Sequence, residues 1–341
     1  MKKTVIVNDT SYEFHHGCEI VVENIKELLL LYDIETIDTN PVGKSWNNKK
    51  FLQSIAKSDI IIVNGEGTLH HAQPRVKELV SIGKYIKEHF NIPIVLINST
   101  YQDNGDDIAD YMRYFDLIYV RETLSKINLA QYSINSSVVP DMTFYTKYVN
   151  YTPILKKNIG ITDSVFNKLS EDFLNIAINN NYKYLPALTF PKLKINNLIN
   201  FLKYIKFFIL HNIKSTLYFL GYKFDFQFQR QKYYIRDYNS YINEISKLEF
   251  FIVGRYHSLC FALKTLTPFV VIKSNSYKIE GLLNDIGLTN NRILNSKDIQ
   301  KINFKDFVYT KDEEKLIKQF VIDAPKKIEK MFQNIRDLLD K

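Results

Sequence analysis

The chain alternates short apolar runs with segments of helical spacing along most of its 341 residues. Runs such as Thr4–Val7, Asp59–Val63 and Glu249–Val253 are typical of strands in a parallel sheet that helices cover on both faces. The alternation lapses around Lys147–Lys157, which reads as a linker, and then resumes. The sequence therefore predicts an α/β fold with two Rossmann-like domains facing a cleft. The predicted bounds are 1–150 and 151–310, followed by a helical segment at 311–341.

One segment of the second domain, residues 191–230, breaks the alternation with aromatic and basic side chains. One interpretation is an inserted helical hairpin that packs on its own domain, since aromatic stripes at helical spacing usually bury in a core. The other is a monotopic patch that dips into a membrane interface with its lysine heads at the lipid phosphates. An enzyme acting on a lipid-linked sugar would use such a patch. The side chains are Phe201, Tyr204, Phe207, Phe208, Tyr218, Phe219, Tyr222, Phe224, Phe226 and Phe228, with Lys203, Lys206, Lys214, Lys223 and Arg230.

The formal net charge of +8 fits an anionic substrate, an anionic membrane surface or nucleic acid. The cations are scattered, without the Lys/Arg-rich block that tracks a nucleic-acid backbone, so we expect no nucleic-acid partner. Cys18 and Cys260 lack CxxC spacing, which disfavours disulfides and fits a reducing compartment. The run Met1–Asn8 is too short for a signal peptide, and no stretch is apolar enough to span a bilayer. We therefore expect a cytoplasmic protein, with 191–230 as an alternative peripheral contact at the inner membrane.

The strongest chemical signal is the turn Gly254–Ser258, which follows an apolar strand and opens the apolar segment Leu259–Leu263. A cation, Arg255, and a titratable imidazole, His257, thus stand where a strand ends and a helix begins. That edge is the ligand-binding rim of an open α/β sheet, and helix N-termini favour anions. The pattern predicts chemistry on a phosphate or carboxylate; a structural helix-cap histidine is the alternative for His257.

A second motif, Asn64–His71, follows the strand Ile60–Val63. Glycines just past a strand let the backbone turn sharply and approach a ligand closely. The motif is neither a GxGxxG nor a P-loop. It predicts a ligand loop, and the alternative is a tight strand-to-helix connection with Glu66 solvated. The candidates are Gly65, Glu66, Gly67 and Thr68 on the donor side and His70 and His71 on the acceptor side.

A third motif, Phe14–Cys18, follows the first strand and a loop. Its two histidines and Cys18 lack a fourth ligand at zinc-like spacing, so we predict no metal. We expect a histidine of this loop to donate to substrate, with His16 as a candidate for proton transfer and His15 on the acceptor side. The alternative is that one of them is buried as a helix cap.

Two further strands end in charged side chains, Arg121 and Asp141. Arg121 is expected to point toward the cleft as another cation. Its alternative is a surface pair with Glu122, which would contribute little. Asp141 is a candidate to orient a catalytic histidine or to accept a hydrogen bond from a sugar hydroxyl. It would equally suit the cap of the next turn.

Taken in order, these motifs resemble the polysaccharide pyruvyl transferase family over nearly the whole chain. Each motif alone is weak evidence for the family, and the resemblance depends on finding them in this order. Two segments depart from the family pattern: Glu66 interrupts the glycine loop, and Phe14–Cys18 replaces a Gly-Asn-x-Gly-Asp-like loop. The segments that match are Asn64–Gly67, Arg121–Ser125, Pro140-Asp141, Arg255–His257, Pro268 and Lys278.

The resemblance implies a fold similar to GT-B glycosyltransferases and transfer of pyruvate from phosphoenolpyruvate to a sugar, which gives a ketal and phosphate. It places the chain in bacterial surface polysaccharide biosynthesis (exopolysaccharide, capsule or lipopolysaccharide), with a glycan or lipid-linked glycan as acceptor and no cofactor. We expect Arg255 to bind the donor phosphate or carboxylate with Arg121 or Lys278 assisting, since arginine suits planar anions. His257 is the candidate for proton transfer, because its unperturbed pKa lies near neutrality.

Two other functions fit the same motifs. One is an inverting GT-B glycosyltransferase, in which the Arg255–His257 turn would bind the phosphates of a CMP- or UDP-sugar. The other is a non-catalytic glycan-binding protein that would keep the cleft and tolerate loss of His257. Several polar motifs lie at the ends of strands, which disfavours a non-catalytic glycan-binding protein.

Overall fold

The first α/β unit is built on a six-stranded parallel sheet in the computed structural model, which describes residues 1–145, 158–190, 198–222 and 225–340. The linker predicted around 147–157 lies outside the described residues, as do 191–197, Lys223 and Phe224 and the side chains of Lys203, Phe207 and Tyr218. The strands are β1 (Lys2–Asp9), β2 (Ile34–Pro41), β3 (Ile60–Glu66), β4 (Ile94–Ser99), β5 (Leu117–Val120) and β6 (Ser137–Val138). The helices are α1 (His16–Leu31), α2 (Lys49–Ile55), α3 (Pro74–His89), α4 (Asp106–Met112) and α5 (Thr123–Ala130).

The strand order of this sheet is β2-β1-β3-β4-β5-β6. Every residue of β3 and β4 is buried, as expected of apolar strands that helices cover on both faces. The order changes direction between β1 and β3, so the loops that follow these two strands run to opposite faces of the sheet. Such a switch point leaves a crevice at the carboxyl ends of the strands, where ligands bind in open α/β sheets.

The second unit repeats this plan with a five-stranded parallel sheet of order β11-β10-β9-β7-β8. Its switch point lies between β9 and β7. The strands are β7 (Ile159–Ile161), β8 (Lys183–Tyr184), β9 (Phe250–Val253), β10 (Phe269–Ile272) and β11 (Ile293–Leu294). The helices are α6 (Asn167–Asn179), α7 (Leu198–Phe219), α8 (Phe226–Gln229), α9 (Tyr238–Ser246), α10 (Tyr256–Lys264) and α11 (Lys278–Ile286). The predicted α/β class with two Rossmann-like units is confirmed.

The two units share one apolar core behind the cleft. A single cluster of buried side chains joins Ile20 of α1, Leu259 of α10 and Phe332 of the last helix, α12 (Lys311–Leu338). Helix α12 starts at a capping box between Thr310 and Glu313 and packs against helices of both units. It continues through Pro325 without a break. The units are therefore tied together by packing as well as by the chain.

Helix α7 is the long helix of the aromatic and basic segment. It is followed by the short α8, so the described residues of this segment form one long helix and one short helix. One face packs on the second unit, where the His211 ring lies 5.3 Å from Phe190 and 5.7 Å from Phe228. The other face exposes large apolar side chains, among them Phe208 and Ile209. Among the described helices, none combines the length and apolarity that crossing a bilayer requires.

Candidate active site

The carboxyl ends of the strands at both switch points border a cavity of about 260 Å³ between the two units. From the first sheet it receives the loops after β1 and β3, and from the second the turn after β9 and the start of α11. The described lining residues that carry charge or titrate are Glu13, His15, Cys18, Lys44, Glu66, Arg75, Glu78, Arg121, Arg255, Tyr256, His257 and Lys278. Acids, bases and cations from distant segments thus converge on one space.

Arg255 is held at the wall of this cavity by an acid that follows β7. Its Nε and Nη2 donate to the same carboxylate oxygen of Asp163, at 3.1 and 2.7 Å. Asp163 is fully buried and also accepts from the backbone N–H of Ala187 at 2.8 Å. The ion pair joins the segment after β9 to the segment after β7, the two strands that meet at the switch point. It fixes the guanidinium while leaving part of it exposed to the cavity, with a side-chain exposure of 18%.

Arg121 is buried in the cavity floor against Asp141. Its Nη1 donates to Asp141 Oδ2 at 2.8 Å, its Nε donates to Thr100 Oγ1 at 2.8 Å, and the guanidinium stacks 4.3 Å from the Tyr256 ring centre. Burial alone would raise the pKa of Asp141, but His257 and then Arg121 hold it below its ordinary value. The surface pair of Arg121 with Glu122, considered above as an alternative, is wrong, because Arg121 pairs with Asp141 in the interior.

His257 occupies the second position of α10 and faces two carboxylates from the first unit. Its Nε2 lies 3.6 Å from Glu66 Oε1 and 3.7 Å from Asp141 Oδ2. Both separations exceed a hydrogen bond, and within the described chain this buried nitrogen has no hydrogen-bond partner. The ring packs directly on α1: a Cβ added to Gly17 would lie 2.1 Å from His257 Cγ. Only glycine permits this close approach of the two units.

Glu66 is buried, so the alternative of a solvated Glu66 is wrong. Its φ of 31° lies in the left-handed region, which is strained for a residue with a side chain. The carboxylate is anchored by the Thr10 hydroxyl, by Asn64 Nδ2 at 3.1 Å and by the Cys18 thiol, which donates at 3.0 Å. Burial, then Glu66, raise the pKa of Cys18 well above its ordinary value, so the thiol keeps its proton.

Two other titratable groups of the cavity have shifted pKa values. Burial, then the nearby cations Arg121 and Arg255, lower the pKa of Lys278 to about 7. Burial, then Arg255, lower the pKa of His15 well below its ordinary value, so its ring is neutral. His15 is also the N-cap of α1, since its Nδ1 accepts from the Gly17 N–H at 3.0 Å. It therefore combines the capping role with a place in the cavity wall.

Five of the predicted site residues are not part of the cavity lining, and one of them, Asp141, lies behind it against Arg121. His16 is buried in the shared core, where its ring stacks 4.6 Å from that of Tyr241. His70 and His71 contact each other through their Nδ1 atoms at 2.9 Å. Gly65 packs against β4, because an added Cβ would lie 2.5 Å from Ser99 Cβ. Gly67 and Thr68 do line the cavity.

Three lining or supporting residues were missed from the sequence. Asp163 comes two residues after the last residue of the apolar strand β7, so the strand-end rule that selected Arg121 would also have selected it. Cys18 was considered only as part of a His-His-x-Cys metal motif. Glu13 carries no sequence signal; in the structure, burial and then the charge of Glu66 raise its pKa.

The family model described as "Polysaccharide pyruvyl transferase" matches residues 13–276, which include the first loop, the glycine loop and the Arg255–His257 turn. The chain belongs to the polysaccharide pyruvyl transferase family. The family name describes a transferase, and the match ends two residues before Lys278. Comparison with curated proteins gave no match.

Solved structures similar to this pyruvyl transferase family member include two bacterial or archaeal enzymes. The UDP-GlcNAc 2-epimerase from Methanocaldococcus jannaschii, in complex with UDP-GlcNAc and UDP, is 13% identical with a TM-score of 0.51, and the match covers 94% of this chain and 100% of that one. The UDP-GlcNAc 2-epimerase from Neisseria meningitidis, bound to UDP-GlcNAc, is 12% identical with a TM-score of 0.51 and coverages of 97% and 100%. These likenesses confirm the GT-B fold.

Proposed function

We propose that this protein transfers pyruvate from phosphoenolpyruvate to a glycan, forming a cyclic ketal and releasing phosphate. The observation that carries the proposal is the position of His257, a buried histidine flanked by two carboxylates in a cavity that also holds Arg255 and Lys278. Membership of the family supports pyruvyl transfer. Arg255 and Lys278 supply positive charge for an anionic donor, and His257 beside them can exchange protons.

Donor binding is assigned to Arg255 and Lys278, with Arg121 beneath them. Phosphoenolpyruvate carries a phosphate and a carboxylate, and charge-assisted hydrogen bonds to fixed cations are the strong way to hold both. Asp163 limits the freedom of the Arg255 side chain, so little rotamer entropy is lost when the donor binds. Thr68 and the open backbone at Gly67 supply neutral donors at the same wall.

The ketal requires two hydroxyls of one sugar, two new C–O bonds to the central carbon of the donor, and cleavage of the bond from that carbon to the phosphate oxygen. One hydroxyl proton ends on the methylene carbon, which becomes a methyl group, and the other leaves with phosphate. We assign delivery of the proton to carbon to His257, whose Nε2 faces Asp141 and Glu66. His15, neutral and with its ring 5.5 Å from His257, carries its proton on Nε2 and is assigned to donate a hydrogen bond to a hydroxyl of the acceptor.

The test is release of phosphate by purified protein from phosphoenolpyruvate and candidate glycans, with the ketal product identified by mass spectrometry. His257→Ala should lower kcat by about 10²–10⁴-fold, the usual contribution of a positioned proton donor. His89→Ala is the matched control, because His89 is exposed at the end of α3. Full activity of His257→Ala would remove this residue from the mechanism.

An inverting glycosyltransferase that uses a CMP- or UDP-sugar is the second candidate. The two GT-B structures similar to this chain hold UDP-GlcNAc, and the cations of the cavity would suit a nucleotide diphosphate. The thermal midpoint separates the candidates, because a ligand that binds only the folded state raises it. A rise with phosphoenolpyruvate and none with nucleotide sugars supports pyruvyl transfer, and the reverse supports glycosyl transfer.

For localisation, we propose a cytoplasmic enzyme that meets a lipid-linked acceptor at an anionic membrane surface through α7. The exposed apolar side chains Phe201, Phe208 and Phe219 repeat at spacings of seven and eleven residues, which places them on one stripe. Leu202, Ile209 and Ile213 form the adjoining stripe. The exposed Lys206 borders this face, so its charge complements acidic lipid headgroups.

Co-sedimentation with vesicles tests this contact. The double variant Phe208→Ser/Ile209→Ser should lose binding to vesicles that contain phosphatidylglycerol, while phosphate release with a water-soluble acceptor stays unchanged. Ile127→Ser is the matched control, since Ile127 is 53% exposed on α5 of the first unit. Binding that is equal in all three proteins, or absent in the unmutated one, contradicts the membrane role of α7.

A further inference from the structure

The cavity wall contains a cluster of metal-ligating side chains that proton transfer alone does not explain. Cys18, His15 and His257 each offer one ligand atom, and these atoms lie within 4.8 Å of one another. All three residues are more than nine-tenths buried. They come from the first βα loop and from the start of α10, so the set forms only when the two units pack together.

Glu66, beside two of these residues, is the candidate for a fourth ligand. Glu66 Oε1 lies 3.0 Å from Cys18 Sγ and 3.6 Å from His257 Nε2. Zinc bonds of about 2.0–2.3 Å at tetrahedral angles place the ligand atoms about 3.3–3.7 Å apart, so the two separations of Glu66 are near this spacing. Ligand atoms of Cys18, His15 and His257 that lie up to 4.8 Å apart must move closer on binding. The other carboxylate oxygen of Glu66 is held by Thr10 and Asn64, the kind of support that orients a metal ligand.

We propose that Cys18, His15, His257 and Glu66 form a binding site for one zinc-class divalent transition-metal ion. The donor set of one thiolate, two imidazoles and one carboxylate suits zinc and disfavours magnesium and calcium, which prefer oxygen. The sequence motif offered three ligands, His15, His16 and Cys18, and no fourth. In the fold His16 lies in the core, and the candidate ligands that join His15 and Cys18 are Glu66 and His257, which are distant in the chain.

Binding requires two changes from the metal-free arrangement. Cys18 must release its thiol proton to the buffer and give up its hydrogen bond to Glu66. His15 Nδ1 accepts from Gly17 in the metal-free protein, so the proton of the neutral ring is on Nε2. If Nδ1 of His15 binds the metal, its hydrogen bond from Gly17 is lost. If Nε2 binds the metal, its proton must move to Nδ1 or leave the ring. Proton release makes zinc affinity rise with pH.

Metal binding and the proposed pyruvyl transfer compete for His257. An imidazole nitrogen that ligates zinc cannot carry the proton for the methylene carbon. Zinc is therefore expected to inhibit phosphate release and a chelator to restore it. The proposed zinc site is argued from geometry alone, and zinc binding is measured without phosphoenolpyruvate or a glycan. Failure of the zinc proposal therefore does not decide the pyruvyl transfer proposal, and the reverse also holds.

The experiment is a titration of chelator-stripped full-length protein with ZnCl2 in competition with a chromophoric zinc chelator. We expect one zinc per chain with Kd below about 1 μM. Cys18→Ser should weaken binding by about 100-fold or more. Cys260→Ser is the matched control, because Cys260 is also buried but lies outside the cluster. Absence of one-to-one binding, or equal affinity in Cys18→Ser and the unmutated protein, overturns the proposal.

Cobalt spectroscopy keeps the test valid even if Cys18→Ser fails to fold. Co²⁺ bound to a thiolate gives a charge-transfer band in the near ultraviolet. The chain has two cysteines, so a band that persists in Cys260→Ser identifies Cys18 as the ligand. A band that vanishes in Cys260→Ser, or no band in the unmutated protein, overturns the assignment.

Discussion

Lys278 is a cation whose charge depends on pH within the physiological range. It lies at the start of α11 and faces Arg121, Arg255, Glu66 and Cys18 across the cavity, and its pKa is lowered to about 7. A lysine with a lowered pKa loses its proton as the pH rises through that value. Of the cations assigned to the donor, it is thus the one that neutral pH can switch off.

Donor affinity should therefore fall between about pH 6 and about pH 8, by about tenfold if one charge-assisted contact is lost. Lys278→Met should bind phosphoenolpyruvate weakly at both ends of this range, with little dependence on pH. Isothermal titration calorimetry of both proteins measures the effect. A dependence on pH that survives in Lys278→Met would assign the titration to another group.

Asp141 is the buried counter-ion of Arg121, and its removal leaves a cation without compensation. Asp141→Asn should lower the free energy of unfolding by about 3–5 kcal/mol, the usual cost of breaking a buried ion pair. Urea denaturation measures it. The double variant Arg121→Met/Asp141→Leu removes both charges and should recover much of this loss. A double variant that is no more stable than Asp141→Asn would contradict this account.

At the scale of elements, the contact between α1 and α10 depends on Gly17. Alanine in place of glycine inside a helix normally stabilises by about 0.5–1 kcal/mol. Here the added methyl group would collide with His257, at 2.1 Å from its Cγ. Gly17→Ala should therefore lower the thermal midpoint and reduce kcat, since α1 and α10 must separate or His257 must move.

Gly67→Ala is the steric control for this prediction, because its added Cβ would meet no atom within 4 Å. Its thermal midpoint should stay close to that of the unmutated protein. Calorimetry of the two variants makes the comparison. A Gly17→Ala protein as stable as Gly67→Ala would show that the packing against His257 is not tight.

The sequence identified most strand ends that border the cavity, because a buried parallel strand followed by a glycine or a charge is a local pattern. It selected Arg255, His257 and Asp141 in this way. It placed both His15 and His16 at the site, because a single sequence does not show that these neighbouring residues at a helix start point in different directions. Only the docking of α1 on the second unit places His15 in the cavity and His16 against Tyr241. Contacts between units of this kind have no signature in a single sequence.

For the whole molecule, the shared core predicts that the two units unfold together. The cluster that joins α1, α10 and α12 contains buried side chains of both sheets. Trp46 is the single tryptophan and lies in the first unit, so its fluorescence reports on that unit, while circular dichroism reports on both. The two signals should give one coincident transition in urea.

Ile328→Ala in α12 should shift both signals to lower urea by the same amount, with a cost of about 2–5 kcal/mol for a buried isoleucine. Ile322→Ala on the same helix is the control, since Ile322 is 45% exposed. Two separate transitions, or a shift in one signal only, would mean that the units fold independently.

The contact between Cys18 and Glu66 has an evolutionary consequence. Each residue belongs to one of the two segments that the sequence comparison by motif predicts to depart from the family's pattern, and 48 positions separate them in sequence. Because the two side chains are in contact, a substitution at one position changes which residues are tolerated at the other. We expect the two to be inherited as a pair, so that a subgroup of the family is recognisable from these two positions alone.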